Sequence, residues 1–329
     1  MEYHNIAGRI YDIQGYAVHD GPGIRTTVYT KGCPLHCLWC HSPESQYHDL
    51  ELGYLAVKCL GTEVCENACV SACPHGAISI GAPVKAIGKE EYLLKPEIDR
   101  TKCTGCLSCA EVCIPKALYP SGWDTTVDEV YARLDKDRVF FQNGGGGVTI
   151  SGGEAMAQFD FTFELARRLK ESGLHICLDT TGFAPTAQYE KIMPYIDLYL
   201  YDLKHMDTGM HKKLTGVGNE LILENARFLA KNGGALQVRY PIIPRLNDQP
   251  SNLRATAEFC VELNRLSQAA GKGDAVQLVQ LLPYHATGRM KYDRLGIHYK
   301  LKNVEPPPDA FMQEALAFFQ GFGLNAQLY

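Results

Sequence analysis

Residues 31–41 read KGCPLHCLWCH and set Cys33, Cys37 and Cys40 in a C-x3-C-x2-C triplet. Three thiolates this close together can hold one metal centre. A structural zinc site closes with a fourth ligand, and an ordinary iron–sulfur cube is held by four cysteines. No fourth cysteine follows until Cys59. The triplet therefore points to a cluster with one metal corner open to something that is not protein. The alternative at this stage is a zinc knuckle closed by His36 or His41.

The chain around the triplet is unusually rich in thiols. Eleven of its thirteen cysteines lie between Cys33 and Cys113, in three tight groups, while Cys177 and Cys260 stand alone in apolar surroundings as small buried hydrophobes. Disulfides are disfavoured in a reducing cytosol, and this clustering reads as metal chemistry. Cys103, Cys106, Cys109 and Cys113 follow C-x2-C-x2-C-x3-C, close to the bacterial ferredoxin run, whose fourth cysteine goes to the other cluster. Cys59, Cys65, Cys69 and Cys73 precede them with wider spacings but keep the final Cys-Pro. By that analogy one [4Fe-4S] cluster takes Cys59, Cys65, Cys69 and Cys113, and another takes Cys73, Cys103, Cys106 and Cys109. Two zinc sites are the alternative. The segment 50–118 is expected to be a ferredoxin-like insert, too small to bury much core without its metal.

The remaining bulk properties exclude several classes. The chain has 329 residues, 46% hydrophobic and 21% charged, with a net charge of −5. That is ordinary for a globular protein and lacks the basic excess of a nucleic-acid binder. Residues 1–9 are polar, with no apolar core of a secretory leader, and no run reaches the ~18 apolar residues of a membrane span. A cytoplasmic, anaerobic setting is expected, because clusters with an open iron are oxygen-labile.

Outside 50–118 the pattern alternates. Strands are expected at 6–15, 26–32, 148–151, 175–179, 196–204, 235–243 and 275–282, with a possible last one at 325–329. Helices are expected at 126–141, 159–172, 187–193, 208–214, 221–231, 252–270 and 310–321. Strands alternating with helices imply parallel β/α units. About six such strands fall short of a complete barrel, so the expected α/β fold is a partial (open) TIM-type β/α barrel over 1–49 and 119–329. A doubly wound open sheet is the main alternative.

In such barrels, functional groups gather at the carboxyl ends of strands. Those ends carry Ser151-Gly152-Gly153-Glu154, then Cys177-Leu178-Asp179, then Tyr201-Asp202-Leu203-Lys204, and finally His285. Arg239 lies on a strand that can line the mouth. Glycines let backbone approach a ligand, and a carboxylate pairs with an ammonium. A Lys and two Asp buried together need mutual compensation or a ligand's charges; a structural salt bridge is the alternative. Residues 144–147, four glycines, read as a flexible turn.

The triplet resembles the signature of the radical S-adenosylmethionine (SAM) superfamily. Residues 20–46, DGPGIRTTVYTKGCPLHCLWCHSPESQ, resemble the glycyl radical enzyme activating enzymes within it. The similarity runs from Asp20 through His285. It implies that SAM chelates the open iron and is cleaved reductively to methionine and a 5′-deoxyadenosyl radical. That radical takes a hydrogen from a backbone glycine of a partner glycyl radical enzyme. It also implies that the GGE motif at Gly152, Gly153 and Glu154 receives the SAM amino group. Trp39, Cys40, His41, Asp179, Asp202, Leu203, Lys204 and His285 become cofactor contacts, and Arg25 a residue near the site. Asp179 and Asp202 can also hold a monovalent cation. Three [4Fe-4S] clusters are then expected, the two in the insert relaying electrons from a donor such as flavodoxin or ferredoxin, or supporting partner docking. The competing functions are a radical SAM enzyme acting on another peptide or small molecule, and a ferredoxin-type electron carrier.

Overall fold

The computed structural model describes residues 4–85 and 90–329. Contacts divide the chain into two units: Met1–His48 with Asp124–Thr287 and Lys300–Tyr329, and Asp49–Trp123 with Gly288–Tyr299.

Nine strands form the sheet of the first unit among the described residues: Ala7–Ala17 (β1), Arg25–Thr30 (β2), Trp123–Thr126 (β3), Gly147–Gly152 (β4), His175–Thr180 (β5), Leu198–Asp202 (β6), Leu236–Ile242 (β7), Val276–Pro283 (β8) and Ala326–Leu328 (β9). They lie in the order β9-β8-β7-β6-β5-β4-β2-β1-β3. Every neighbouring pair from β2 through β9 is parallel, and β1 returns antiparallel against β2. The sheet has two ends, so the barrel is partial and open. The parallel strands are almost wholly buried, as in β4, where only Gly152 is partly exposed. That is why they read as apolar runs without strict alternation.

Among the described residues, eight helices connect them: Val127–Asp135 (α1), Arg138–Gly144 (α2), Phe159–Glu171 (α3), Thr186–Ile192 (α4), Thr208–Thr215 (α5), Glu220–Asn232 (α6), Pro250–Ala269 (α7) and Asp309–Gln320 (α8). Helix α3 buries Phe161, Leu165, Ala166 and Leu169 at helical spacing. Arg167 is 9% exposed, and its guanidinium is paired with Glu164 at 2.6 Å.

The helix expected at 126–141 is two helices. Thr126 caps α1 through a capping box with Glu129. At the break, Asp137 accepts hydrogen bonds from Thr26 Oγ1 at 2.8 Å and Arg133 at 3.0 Å. The glycine run is a tight crossing and not a loose turn: a Cβ on Gly146 would lie 1.8 Å from the Ile24 carbonyl oxygen.

The second unit holds two small antiparallel sheets, Leu52–Tyr54 with Leu118–Pro120 and Ile78–Lys85 with Tyr92–Ile98. Its buried apolar cluster among the described residues is Leu52, Cys69, Ile78, Cys109, Ala110 and Leu118. Two of those six are thiols, so little ordinary core is present. The 288–299 segment, unmarked in the sequence, belongs to this unit. Arg100 ties it in by donating to the carbonyls of Leu52 at 2.5 Å and Arg294 at 3.0 Å.

Candidate active site

The loop after β2 carries the triplet and is pinned from three sides. Gly32 N donates to Ser45 O at 2.8 Å and Cys33 N to Gln46 O at 3.0 Å. His36 N and Leu38 N donate to the carbonyls of Thr215 and Leu214 at the end of α5. Lys31, fully buried, donates to the Glu44 carbonyl. Gly152 and Gly153 close the fourth side. A Cβ on Gly153 would lie 2.6 Å from the oxygens of Gly32 and Ser45, and Gly152 has φ +140°, open to glycine. The double glycine thus lets the end of β4 pack against the cluster loop.

Cys33, Cys37 and Cys40 line one cavity of about 450 Å³. Trp39, His41, Gly152, Gly153, Asp179, Asp202, Lys204, Arg239 and His285 share its wall. Burial pushes all three thiols up, Cys37 to about 12. A metal centre deprotonates its thiols outright, so three desolvated thiols on one wall suit a metal cluster. Among the described residues no three His, Cys, Asp or Glu side chains converge on a point as they would around a single ion. His36 pairs with Gln46 outside the cavity wall, at 3.3 Å. His41 Nε2 lies 3.0 Å from the His285 carbonyl, with the two rings 4.2 Å apart.

The charged groups form pairs across the cavity. Lys204 Nζ lies 2.6 Å from Asp202. Burial opposes the charge on Lys204, but the Asp202 carboxylate beside it outweighs this and raises its pKa. Arg239 lies 3.1 Å from Asp179 and 3.4 Å from Asp20. Burial raises the pKa of Asp179, against the pull of Arg239 and the hydrogen bond from Ser151 at 2.7 Å. Three carboxylates therefore face two cations on this wall, a surplus of one negative charge that suits a cationic ligand.

Three expectations are placed elsewhere. The Glu154 carboxylate is absent from the cavity wall and 1% exposed. It accepts from Met156 N, Thr180 Oγ1, Thr181 N and Thr181 Oγ1 at 3.1, 2.8, 2.7 and 2.5 Å, so its capacity is taken up by the β5 end. Leu203 is 2% exposed in the apolar core and also off the wall. Arg25 starts β2, at the opposite end of the strand from the cluster loop, and is fully buried. It donates to Thr149 Oγ1, Pro22 O, Val148 O and His175 O.

Sequence reasoning missed Tyr11, Asp20, Tyr29, Tyr284 and Tyr329, which also line the cavity, as does Ser151 at its strand end. Strand alternation after Asp20 held one signal: Thr27 and Tyr29 share a face, and both donate to its carboxylate, at 2.8 and 3.0 Å.

In the second unit, Cys59, Cys65, Cys69 and Cys113 line one cavity and Cys73, Cys103, Cys106 and Cys109 another. Tyr54 lines the first. Burial, and then Cys59, raise its pKa, yet its hydroxyl makes no hydrogen bond of ordinary geometry. Cys177 and Cys260 are wholly buried.

The Radical SAM superfamily profile matches residues 101–259, and a 4Fe-4S dicluster domain matches residues 58–117. The chain is 39% identical to the indoleacetate decarboxylase activating enzyme of Tractidigestivibacter scatoligenes, covering 96% of this chain and 95% of that one. It is 37% identical to the trans-4-hydroxy-L-proline dehydratase activating enzyme of Clostridioides difficile, over 97% of this chain and 98% of that one. The (2S)-3-sulfopropanediol sulfolyase activating enzyme of Bilophila wadsworthia matches at 38% identity, over 93% and 94%. The chain belongs to the glycyl radical enzyme activating enzymes. As an activating enzyme it is a radical SAM oxidoreductase that uses iron–sulfur clusters and SAM and acts on a glycyl radical enzyme. Among the described residues of the activating enzyme, no helix is long and apolar enough to cross a membrane.

Proposed function

We propose that the chain reductively cleaves SAM to methionine and a 5′-deoxyadenosyl radical and so abstracts a hydrogen atom from a backbone glycine of a partner glycyl radical enzyme. The observation that carries this is the single cavity uniting three buried thiols with the Lys204–Asp202 and Arg239–Asp179 pairs. Cys33, Cys37 and Cys40 hold the cluster. Trp39, 6% exposed, keeps water from it. Lys204 takes the SAM carboxylate. The backbone carbonyls at Gly152 and Gly153, together with Asp179, take the ammonium in place of Glu154. His41 and His285 would contact the nucleoside, and Asp179 and Asp202 would hold a monovalent cation. The protein's own work is orientation and exclusion of water.

The eight insert cysteines hold two further [4Fe-4S] clusters, paired as the two cavities divide them. They relay electrons from a small donor such as flavodoxin or ferredoxin, in the cytoplasm. The test is anaerobic. Reconstituted enzyme should carry about twelve irons per chain and, when reduced with SAM present, release methionine and 5′-deoxyadenosine. Mixing with a glycyl radical enzyme should then produce the glycyl electron-spin signal. Absence of 5′-deoxyadenosine from fully loaded, reduced enzyme would refute the proposal.

A further inference from the structure

Tyr54 and Thr62 line the cavity shared by Cys59, Cys65, Cys69 and Cys113. Both hydroxyl oxygens are buried; that of Thr62 has no hydrogen-bond partner, and that of Tyr54 faces the Cys59 thiol without a hydrogen bond of ordinary geometry. Buried hydroxyls are ordinarily paired, so each such exception asks for a missing neighbour. The backbone at both positions is satisfied: Tyr54 pairs with Leu118 across the small sheet, and Thr62 N donates to Leu94 O at 2.7 Å. The loose ends are the two side chains alone. The other insert cavity differs. Its wall holds none of the unpaired buried side-chain atoms found among the described residues. Backbone donation to sulfur is common to both cavities, Ala77 N to Cys73 Sγ at 3.2 Å here and Leu118 N to Cys113 Sγ at 3.3 Å in the first, so the difference lies in the two hydroxyls.

A phenol and an alcohol keep their protons at neutral pH, so both groups can donate to sulfur. Cluster sulfurs gain negative charge on reduction, and hydrogen bonds to them favour the reduced form. Resting on the reading that these four cysteines hold a [4Fe-4S] cluster, we propose that Tyr54, with Thr62 beside it, donates hydrogen bonds to that cluster's sulfurs and raises its reduction potential. The step tuned is addition of one electron from an external reductant, with no proton transferred. Tyr54 thereby makes this cluster a poised electron carrier, beyond its part in holding the small unit together.

The test uses the full chain, reconstituted anaerobically, as wild type, Tyr54→Phe and Thr62→Val. Iron and sulfide are counted first; redox titration dosed with dithionite and followed by electron spin resonance comes second. In Tyr54→Phe the reduction constant of one cluster should fall about tenfold, about 59 mV for a one-electron couple, with the other midpoints unmoved. Thr62→Val should shift the same cluster in the same direction by less. Full iron with every midpoint unchanged in both variants would overturn the tuning while leaving the cluster reading intact. Loss of that cluster's iron in both variants would also overturn it, by making the hydroxyls structural. A wild type with iron for the N-terminal cluster alone would sink the underlying reading itself.

Discussion

Gly153→Ala concentrates the structural reasoning in one methyl group. The added Cβ would lie 2.6 Å from the carbonyl oxygens of Gly32 and Ser45 and 2.9 Å from Cys33 Cβ. Ordinary contact begins at 3.4 Å, so each oxygen is 0.8 Å too close. None of these atoms is the far end of a flexible side chain. The relief must come from the loop that carries the triplet, whose ends are fixed by Gly32 N to Ser45 O and Cys33 N to Gln46 O. Overpacking of this kind costs about 1–3 kcal/mol, and the displacement falls on Cys33 first. Expected results are a lower urea midpoint and selective loss of about four irons per chain, the content of one cluster. SAM cleavage should be lost with them, while the insert clusters' spectra persist. Gly273→Ala, where the methyl meets nothing within 4 Å, is the control and should match wild type. A Gly153→Ala protein with full iron and an unfolding free energy within about 0.5 kcal/mol of wild type would refute this account of the double glycine.

Three further outcomes follow. Glu154→Gln sets an amide among four donors aimed at the carboxylate and should cost about 2–3 kcal/mol in urea unfolding, with the SAM affinity of the folded enzyme unchanged; a selective affinity loss would return Glu154 to the ligand. Burial lowers the pKa of His175, His205 and His211 from 6.5, so below pH 6.5 the unfolded chain binds more protons and stability falls. The urea midpoint should drop from about pH 7 to about pH 5.5, and His211→Gln should flatten that slope. Stripping iron should open the 50–118 segment to proteases, because its buried cluster of six includes Cys69 and Cys109; unchanged cleavage would show that the insert stands without metal.

Spacing along the chain determined the chemistry and the fold class. C-x3-C-x2-C keeps three thiols within one short loop wherever that loop sits, and the apolar periods of strands and helices are local, so the alternating β/α strands were legible along the chain, while their order in the sheet was set by the fold. The division of labour among polar residues was not legible. Glu154 points inward, to Thr180 and Thr181 at and just beyond the end of β5, 26 and 27 residues away. Arg25 belongs to a motif beside the cluster loop in sequence, but β2 carries the two to opposite ends of the strand. Tyr11 and Tyr29 meet only through the antiparallel register of β1 and β2, their rings 5.4 Å apart. Residues 288–299 join the insert through Arg100, 194 residues from its Arg294 partner. Each depends on register and long-range packing, which a one-dimensional pattern of residue types does not encode.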